Sequence, residues 1–324
     1  MTHAIRFHKT GGPEVLVWEE VEVGKPGPGQ AKIRHTAVGL NFVDIYNRSG
    51  LYPATLPSGL GGEAAGVVLE VGPGVTDLKP GARIAYGAAP IGAYAEERLI
   101  PADRLLKLPD GIDDKTAAAM MLKGLTTQYL IRQTYRVKSG DTILLHAAAG
   151  GVGLILGQWA KHLGATVIGT VGSDDKAKLA KAHGCAHTIV YTREDFVKRV
   201  DEITGGKKVP VVYDSVGKDT FLKSLDCLAP LGVVALFGQS SGSVEPLNLG
   251  LLAAKGSLYV TRPTLNTYAA KRDSLVAMAK ELFDVVLSGA VKIEVHQTYP
   301  LKDAAKAHAD LAARKTTGST VLTV

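Results

Sequence analysis

The segment Thr142-Ile-Leu-Leu-His146-Ala-Ala-Ala-Gly150-Gly151-Val152-Gly153 constrains the fold more than any other part of the chain. Its apolar run predicts a strand, its glycines predict a tight turn, and Val152 to Leu163 keeps the apolar spacing of a helix. A strand that passes through a short turn into a helix is the opening of a βαβ unit. The same grammar then repeats. Strands are predicted at Ala165 to Val171, His187 to Val190, Val209 to Tyr213 and Val233 to Phe237. Helices are predicted between them at Lys176 to His183, Phe196 to Ile203 and Thr220 to Cys227. Alternation of this kind predicts a doubly wound parallel sheet with helices on both faces.

The first third reads differently. Ala31 to Val38 alternates apolar and polar residues, as a half-buried strand does. Val67 to Val71 and Arg83 to Tyr86 are short apolar runs, separated by the turn signals Gly72-Pro73-Gly74 and Pro80-Gly81. A small irregular β-barrel follows from this pattern. Lys115 to Leu130 has helical spacing, as do Ala269 to Leu287 and Leu301 to Ala313 in the tail. With 324 residues the chain exceeds what one core usually serves, so two domains are expected.

Composition removes several classes. No apolar run reaches the ~18 to 20 residues of a membrane span, and Met1 to Lys9 lacks a secretory apolar stretch, so a cytoplasmic protein is expected. The net charge of +6 is scattered, with only Lys207-Lys208 as a short run, which points away from nucleic acid. Cys185 and Cys227 form no disulfide framework and lack metal-ligand spacing.

The glycine-rich turn has a chemical use. Glycines permit close approach of a pyrophosphate, and the free N–H groups and dipole of a helix start face its negative charge. The usual G-x-G-x-x-G fingerprint has its counterpart in Ala148 to Gly153, with alanine in the first glycine slot. A turn that merely packs a helix closely on a strand would look the same. An NAD site usually has an acid at the tip of the second strand. Here that strand ends Gly172-Ser173. Ser173, Lys176 and Tyr191 could meet a 2′-phosphate, which favours NADPH. Asp174 and Asp175 argue the other way unless they serve the helix start.

Gly39-Leu-Asn41-Phe-Val-Asp44 and Gly61-Gly62-Glu63-Ala-Ala-Gly66 are similar to motifs of zinc alcohol dehydrogenases that hold a Cys and a His ligand. Here Asn41 and Gly62 stand in those two positions, and neither is a usual zinc ligand. Without a Lewis acid an alcohol is hard to oxidise, whereas an electron-poor quinone or enone takes a hydride with less help.

Together with Arg48 to Pro53, Leu122 to Thr126, Val212 to Gly217 and Tyr259 to Pro263, these segments resemble the zinc-free, zeta-crystallin-like quinone oxidoreductases. That family sits within the medium-chain dehydrogenase/reductase superfamily. The resemblance implies an α/β chain: a GroES-like β-rich catalytic domain at 1–124 completed by 266–324, and a Rossmann domain at 125–265. It implies NADPH at the switch point of the sheet, a quinone or similar conjugated carbonyl as acceptor, and a homodimer joined through the Rossmann domain near Tyr259-Val260-Thr261. Asn41, Tyr46, Thr126 and Tyr129 would lie near the nicotinamide half. Gly150, Gly151 and Val152 would meet the pyrophosphate, and Ser173, Lys176, Tyr191 and Arg314 the 2′-phosphate. Phe237, Gly238 and Ser240 would line the rest of the cofactor site. Tyr46 and Tyr52 would line the acceptor pocket and, with Asn41, carry the catalytic contacts. Taken alone, Asn41 could equally cap a helix and the two tyrosines could be packing residues. An enone or 2-enoyl thioester reductase on the same fold remains an alternative. So does a non-enzymatic NADPH- or RNA-binding protein, as among the lens crystallins.

Overall fold

The computed structural model describes residues 2–324. The chain divides into two units, each with its own core: Met1–Leu125 with Ala269–Phe283 and Ile293–Val324, and Thr126–Tyr268 with Asp284–Lys292.

The first unit opens with β1 (Thr2–Phe7), β2 (Val17–Val21), β3 (Gln30–Leu40) and α1 (Phe42–Ser49). It continues with β4 (Ser58–Gly59), β5 (Ala64–Val71), β6 (Arg83–Tyr86), β7 (Glu97–Pro101) and β8 (Leu106–Lys107), then enters α2 (Asp114–Tyr129). β1 pairs with β2 and β4 in a small antiparallel sheet. β3 is the hub of a larger one, antiparallel to β5, β7 and the C-terminal strand Ser319–Thr323. The predicted alternation is present along its first half, where Ala31, Ile33 and His35 are buried and Lys32, Arg34 and Thr36 are not. From Ala37 to Leu40 both faces are covered, and this stretch leads into the site described below.

The second unit runs β9 (Thr142–Leu145), α3 (Gly151–His162), β10 (Thr166–Val171), α4 (Asp174–Ala182), β11 (Cys185–Val190) and α5 (Phe196–Thr204). It goes on through β12 (Val209–Asp214), α6 (Phe221–Ser224), β13 (Leu228–Leu236), α7 (Gly250–Ala254), β14 (Tyr259–Thr261) and α8 (Leu265–Tyr268). Its six strands are all parallel, in the order β11-β10-β9-β12-β13-β14. The chain builds outward from β9 on one side, then returns to build from β12 on the other, so the switch point lies between β9 and β12. The helix predicted at Thr220 to Cys227 is broken into α6 and a 3-10 turn at Leu225–Cys227. The Ser224 hydroxyl donates back to the Thr220 carbonyl at 2.9 Å, a contact that tightens and bends helices. α2 likewise does not simply stop but widens into a π turn at Leu130–Thr134. The tail is α9 (Arg272–Leu287), β15 (Val295–Pro300), α10 (Ala304–Ala312) and β16 (Ser319–Thr323), with β15 parallel to β16.

Candidate active and cofactor-binding sites

The loop between β9 and α3 makes its tight turn at an alanine and not at the glycines expected to provide it. Ala147 takes the left-handed conformation, with φ of 54°, whereas Gly150 has an ordinary φ of −83°. The glycines instead allow close approach. A Cβ on Gly153 would come within 2.5 Å of the Ala147 carbonyl oxygen and 2.6 Å of that of Ala148. Gly169 on β10 leaves room for the Ala148 methyl in the same way, since a Cβ there would lie 2.6 Å from it. The outcome is a helix start with no side-chain cap at Gly150. The N–H groups of Gly151, Val152 and Gly153 have no intrahelical acceptor, because the first such bond is Leu154 N–H to Gly150 at 2.9 Å. The next two helices are closed: Ser173 caps α4 and Asp195 caps α5. α3 therefore presents donors and dipole to an anion, as a pyrophosphate site requires.

The other residues expected at the cofactor follow the C-terminal ends of the strands. Ser173 comes two residues after β10, and its hydroxyl accepts from Lys176 N–H at 3.4 Å. Tyr191 follows β11 directly, and its hydroxyl would lie 3.1 Å from a Cβ on Gly172. Ser173 and Tyr191 are thus gathered at neighbouring strand tips. Asp174, the acid that could have served a ribose, is an ion-pair partner of Arg193, which holds its carboxyl below the usual range. Phe237 and Gly238 N–H groups donate to the Asp214 carbonyl, and Ser240 N–H to the Ser215 carbonyl at 3.1 Å. Thr126 and Tyr129 are buried on the last turn of α2, with Tyr129 stacked on Tyr268 at 4.5 Å. Arg314 is exposed and left-handed just past α10 in the first unit. Asp214 was not foreseen. Fully buried at the tip of β12, it accepts from Val216 N–H at 2.7 Å, Gly217 N–H at 3.1 Å and the Thr220 hydroxyl at 2.8 Å, fixing the loop at the switch point.

In the first unit, antiparallel pairing of β3 with β5 places Val38 opposite Ala64. This brings Asn41, just after β3, beside Glu63, just before β5. Asn41 Nδ2 donates to Glu63 Oε2 at 2.7 Å. Lys123 Nζ reaches the same oxygen at 2.8 Å from α2, and the Leu122 N–H donates to Oε1 at 2.7 Å. Glu63 and Lys123 are both buried and form an ion pair. Gly39 makes room for it: a Cβ there would sit 2.2 Å from Glu63 Oε2 and 2.3 Å from the Ala118 carbonyl oxygen. Neither Glu63 nor Lys123 was picked out from the sequence as a site residue. Tyr46, buried on α1, packs edge-on against Tyr52 at 5.3 Å between ring centres, and Tyr52 N–H donates to the Tyr46 carbonyl.

A second buried chain starts from the same helix. Asn41 is at the N-cap of α1, and its backbone N–H donates to Asp44 Oδ2 at 2.9 Å. Tyr94 O–H donates to that oxygen at 3.0 Å. His308 stands 3.1 Å behind Tyr94 through Nε2, with Arg48 at 3.2 Å from Nδ1. Arg48 can only donate, so Nδ1 accepts and Nε2 carries the proton toward Tyr94. Burial drives His308 down to about 3, which keeps it neutral. Burial pushes Asp44 up to about 7 despite its two donors, and its other oxygen, Oδ1, is buried without a partner. His35 and His146 are satisfied core histidines: His35 bonds the Ala95 carbonyl and Tyr86, and His146 bonds Thr170 and Ser224. Among the described residues, no three His, Cys, Asp or Glu side chains gather as a metal cage.

Residues 27–110 match the alcohol dehydrogenase GroES-like domain, and residues 151–283 match the zinc-binding dehydrogenase family. The chain is 57 % identical over 323 residues to a quinone oxidoreductase of Pseudomonas aeruginosa, covering 99 % of each chain. It is 51 % identical over 329 residues to a 2-haloacrylate reductase of a Burkholderia species, again covering 99 % of each. The crystal structure of Escherichia coli quinone oxidoreductase complexed with NADPH superimposes with a TM-score of 0.98 at 51 % identity, covering 99 % of this chain and 100 % of that one. With such similarity running the whole length of both units, the chain belongs to the quinone oxidoreductases of the medium-chain dehydrogenase/reductase superfamily.

Proposed function

We infer that this protein is an NADPH-dependent quinone oxidoreductase, converting NADPH, a proton and a quinone into NADP⁺ and a hydroquinone. The observation that carries the cofactor is the uncapped start of α3, with three N–H groups and no side chain to satisfy them. The full-length identity to quinone oxidoreductases supplies the acceptor class. Bound NADPH supplies the hydride. The protein's part is to bind and orient. Gly150, Gly151 and Val152 hold the pyrophosphate. Ser173, Lys176, Tyr191 and Arg314 take the 2′-phosphate, a reading supported by the engagement of Asp174 with Arg193. Phe237, Gly238 and Ser240 line the cofactor site along its length. Asn41, Tyr46, Thr126 and Tyr129 orient the nicotinamide half.

Tyr46 and Tyr52 line the acceptor pocket. Hydrogen bonds from their hydroxyls, with Asn41, would stabilise the oxyanion that develops on the acceptor. The GroES-like domain is 1–124 with 266–324 and the Rossmann domain 125–265. The protein works in the cytoplasm as a homodimer. Support for the dimer comes from β14, an edge strand whose Tyr259 and Val260 are exposed. A second reading, reduction of a conjugated C=C bond, is favoured by the 51 % identity to the 2-haloacrylate reductase. NADPH oxidation by chelator-treated protein, with a 1,4-quinone and a conjugated enone in parallel, tests both. Turnover with the quinone is expected, and turnover with the enone alone would establish the second reading instead. Full quinone turnover by a Tyr46→Phe, Tyr52→Phe double variant would refute the roles of the tyrosines.

A further inference from the structure

We propose that the buried Lys123–Glu63 ion pair is the positioning device of the reduction site, fixing the side-chain amide of Asn41 in one orientation. The proposal rests on the reading of Asn41 as a residue that meets the nicotinamide half.

An asparagine amide is nearly symmetric in shape, and rotation by half a turn exchanges a donor for an acceptor. Asn41 is free of that ambiguity because of its partners, the Gly39 carbonyl oxygen at 3.4 Å and, much closer, Glu63. Glu63 Oε2 can only accept, so the group facing it at 2.7 Å is the nitrogen. The carboxylate is itself fixed at both oxygens, by Leu122 N–H on Oε1 and by Lys123 Nζ on Oε2. A carboxylate buried at 0 % exposure needs a counter-charge, and the ammonium of Lys123, at 5 %, provides it. Gly39 leaves the space in which the carboxylate sits. Lys123 thus keeps Glu63 an acceptor, and Glu63 keeps the Asn41 nitrogen on its own side and Oδ1 on the other. The fixed amide then presents a constant pattern to the cofactor amide, whose own donor and acceptor must match it. Glu63 and Lys123 are positioning residues: they act through Asn41.

The test uses Asn41→Ala, Glu63→Gln, the double variant Asn41→Ala/Glu63→Gln, and the pair Glu63→Gln/Lys123→Met. In Glu63→Gln one of the two accepting oxygens becomes an NH₂, which stands donor against donor either to Leu122 N–H or to Asn41 Nδ2 and Lys123 Nζ, and in both cases Asn41 loses its charge-assisted bond. Quinone kcat/KM should fall about 10- to 100-fold, the scale of a slightly misplaced reacting partner. The affinity for 2′,5′-ADP, which lacks the nicotinamide half, should stay within about twofold, below the scale of one lost hydrogen bond. Adding Glu63→Gln to Asn41→Ala should cost nothing further, because the residue it acts through is gone. In the apoprotein labelled with ¹⁵N at asparagine, the Asn41 side-chain amide protons should move upfield in Glu63→Gln, as a charge-assisted bond is lost.

Losses that multiply in the double variant would overturn the proposal, as would an unmoved Asn41 amide signal. Should Glu63→Gln fail to fold with Lys123 left unpaired, the neutral pair Glu63→Gln/Lys123→Met carries the same two measurements. If Asn41→Ala itself keeps wild-type turnover, the reading of Asn41 at the nicotinamide fails, while the amide signal still decides whether the ion pair orients it.

Discussion

Asp44→Asn should make the stability gap between wild type and variant change with pH between about pH 4 and 7, moving in the variant's favour as pH rises, a window set by the rise of the Asp44 carboxyl from its ordinary 3.8 to about 7. Burial is the leading cause. The N–H of Asn41, the hydroxyl of Tyr94 and the charge of Lys123 oppose it, and the charge of Glu63 adds to it. A carboxyl that holds its proton more tightly in the folded chain stabilises that chain fully below pH 4. The stabilisation is lost as pH rises toward 7, where the folded protein is forced to ionise a buried group. At about 1.4 kcal/mol per pH unit, the rise from 3.8 to about 7 corresponds to about 4 kcal/mol. In the variant, the amide oxygen takes over from Oδ2 as acceptor, and the NH₂ falls where Oδ1 has no partner. That unsatisfied donor costs about 1–3 kcal/mol at every pH, so the slope and not the offset is diagnostic. His308 and His35, driven by burial to about 3 and about 4, weaken both proteins as pH falls below their ordinary 6.5, and this cancels in the difference. Urea unfolding of wild type and variant from pH 4.5 to 8 measures it. A difference in unfolding free energy that does not change with pH would refute the reasoning.

Three further outcomes are expected. Gly153→Ala should weaken NADPH binding about tenfold or more, because its Cβ would press within 2.6 Å of two carbonyl oxygens and force the loop open. Gly150→Ala, whose Cβ meets the Ala147 carbonyl oxygen at 3.2 Å, should weaken it far less. Cofactor fluorescence titration compares them, and equal losses would count against a role for close packing. Lys123→Met should lower stability by about 3–5 kcal/mol by leaving Glu63 charged and buried, with most of the loss recovered in Glu63→Gln/Lys123→Met. Thermal unfolding reads this, and additive losses would contradict it. Val260→Asp on the exposed edge of β14 should yield a monomer by sedimentation that still binds NADPH, and a dimer that persists would place the interface elsewhere.

What the sequence revealed follows from what was local. β9, β10 and β12 are buried on both faces, so their apolar runs announced them, and the glycines after β9 announced a close approach. The two-residue strands β4 and β8 are too short for any period to register. That Ala147 and not a glycine is left-handed is set by the loop around it, against the preference of alanine itself. Glu63 and Lys123 lie 60 residues apart, and only the packing of α2 against the end of β3 makes them partners. Asp44, Tyr94, His308 and Arg48 meet across as many as 260 residues, so no spacing could signal them.

The first unit holds two buried carboxyl groups at one helix start and treats them oppositely. Glu63 receives an ammonium, a backbone N–H and an amide N–H. Asp44 receives a backbone N–H and a phenol, with one oxygen left bare. Neutral donors offset burial poorly, so Asp44 is displaced toward neutrality. Asn41 is the residue common to both, bound to Asp44 through its backbone N–H and to Glu63 through its side chain. Glu63 holds the Asn41 amide through its hydrogen bond to Nδ2. The charge on Asp44 changes near pH 7 and reaches Asn41 through the peptide that begins α1. Any pH dependence of cofactor orientation near pH 7 should therefore follow Asp44, and Asp44→Asn is the substitution that would remove it.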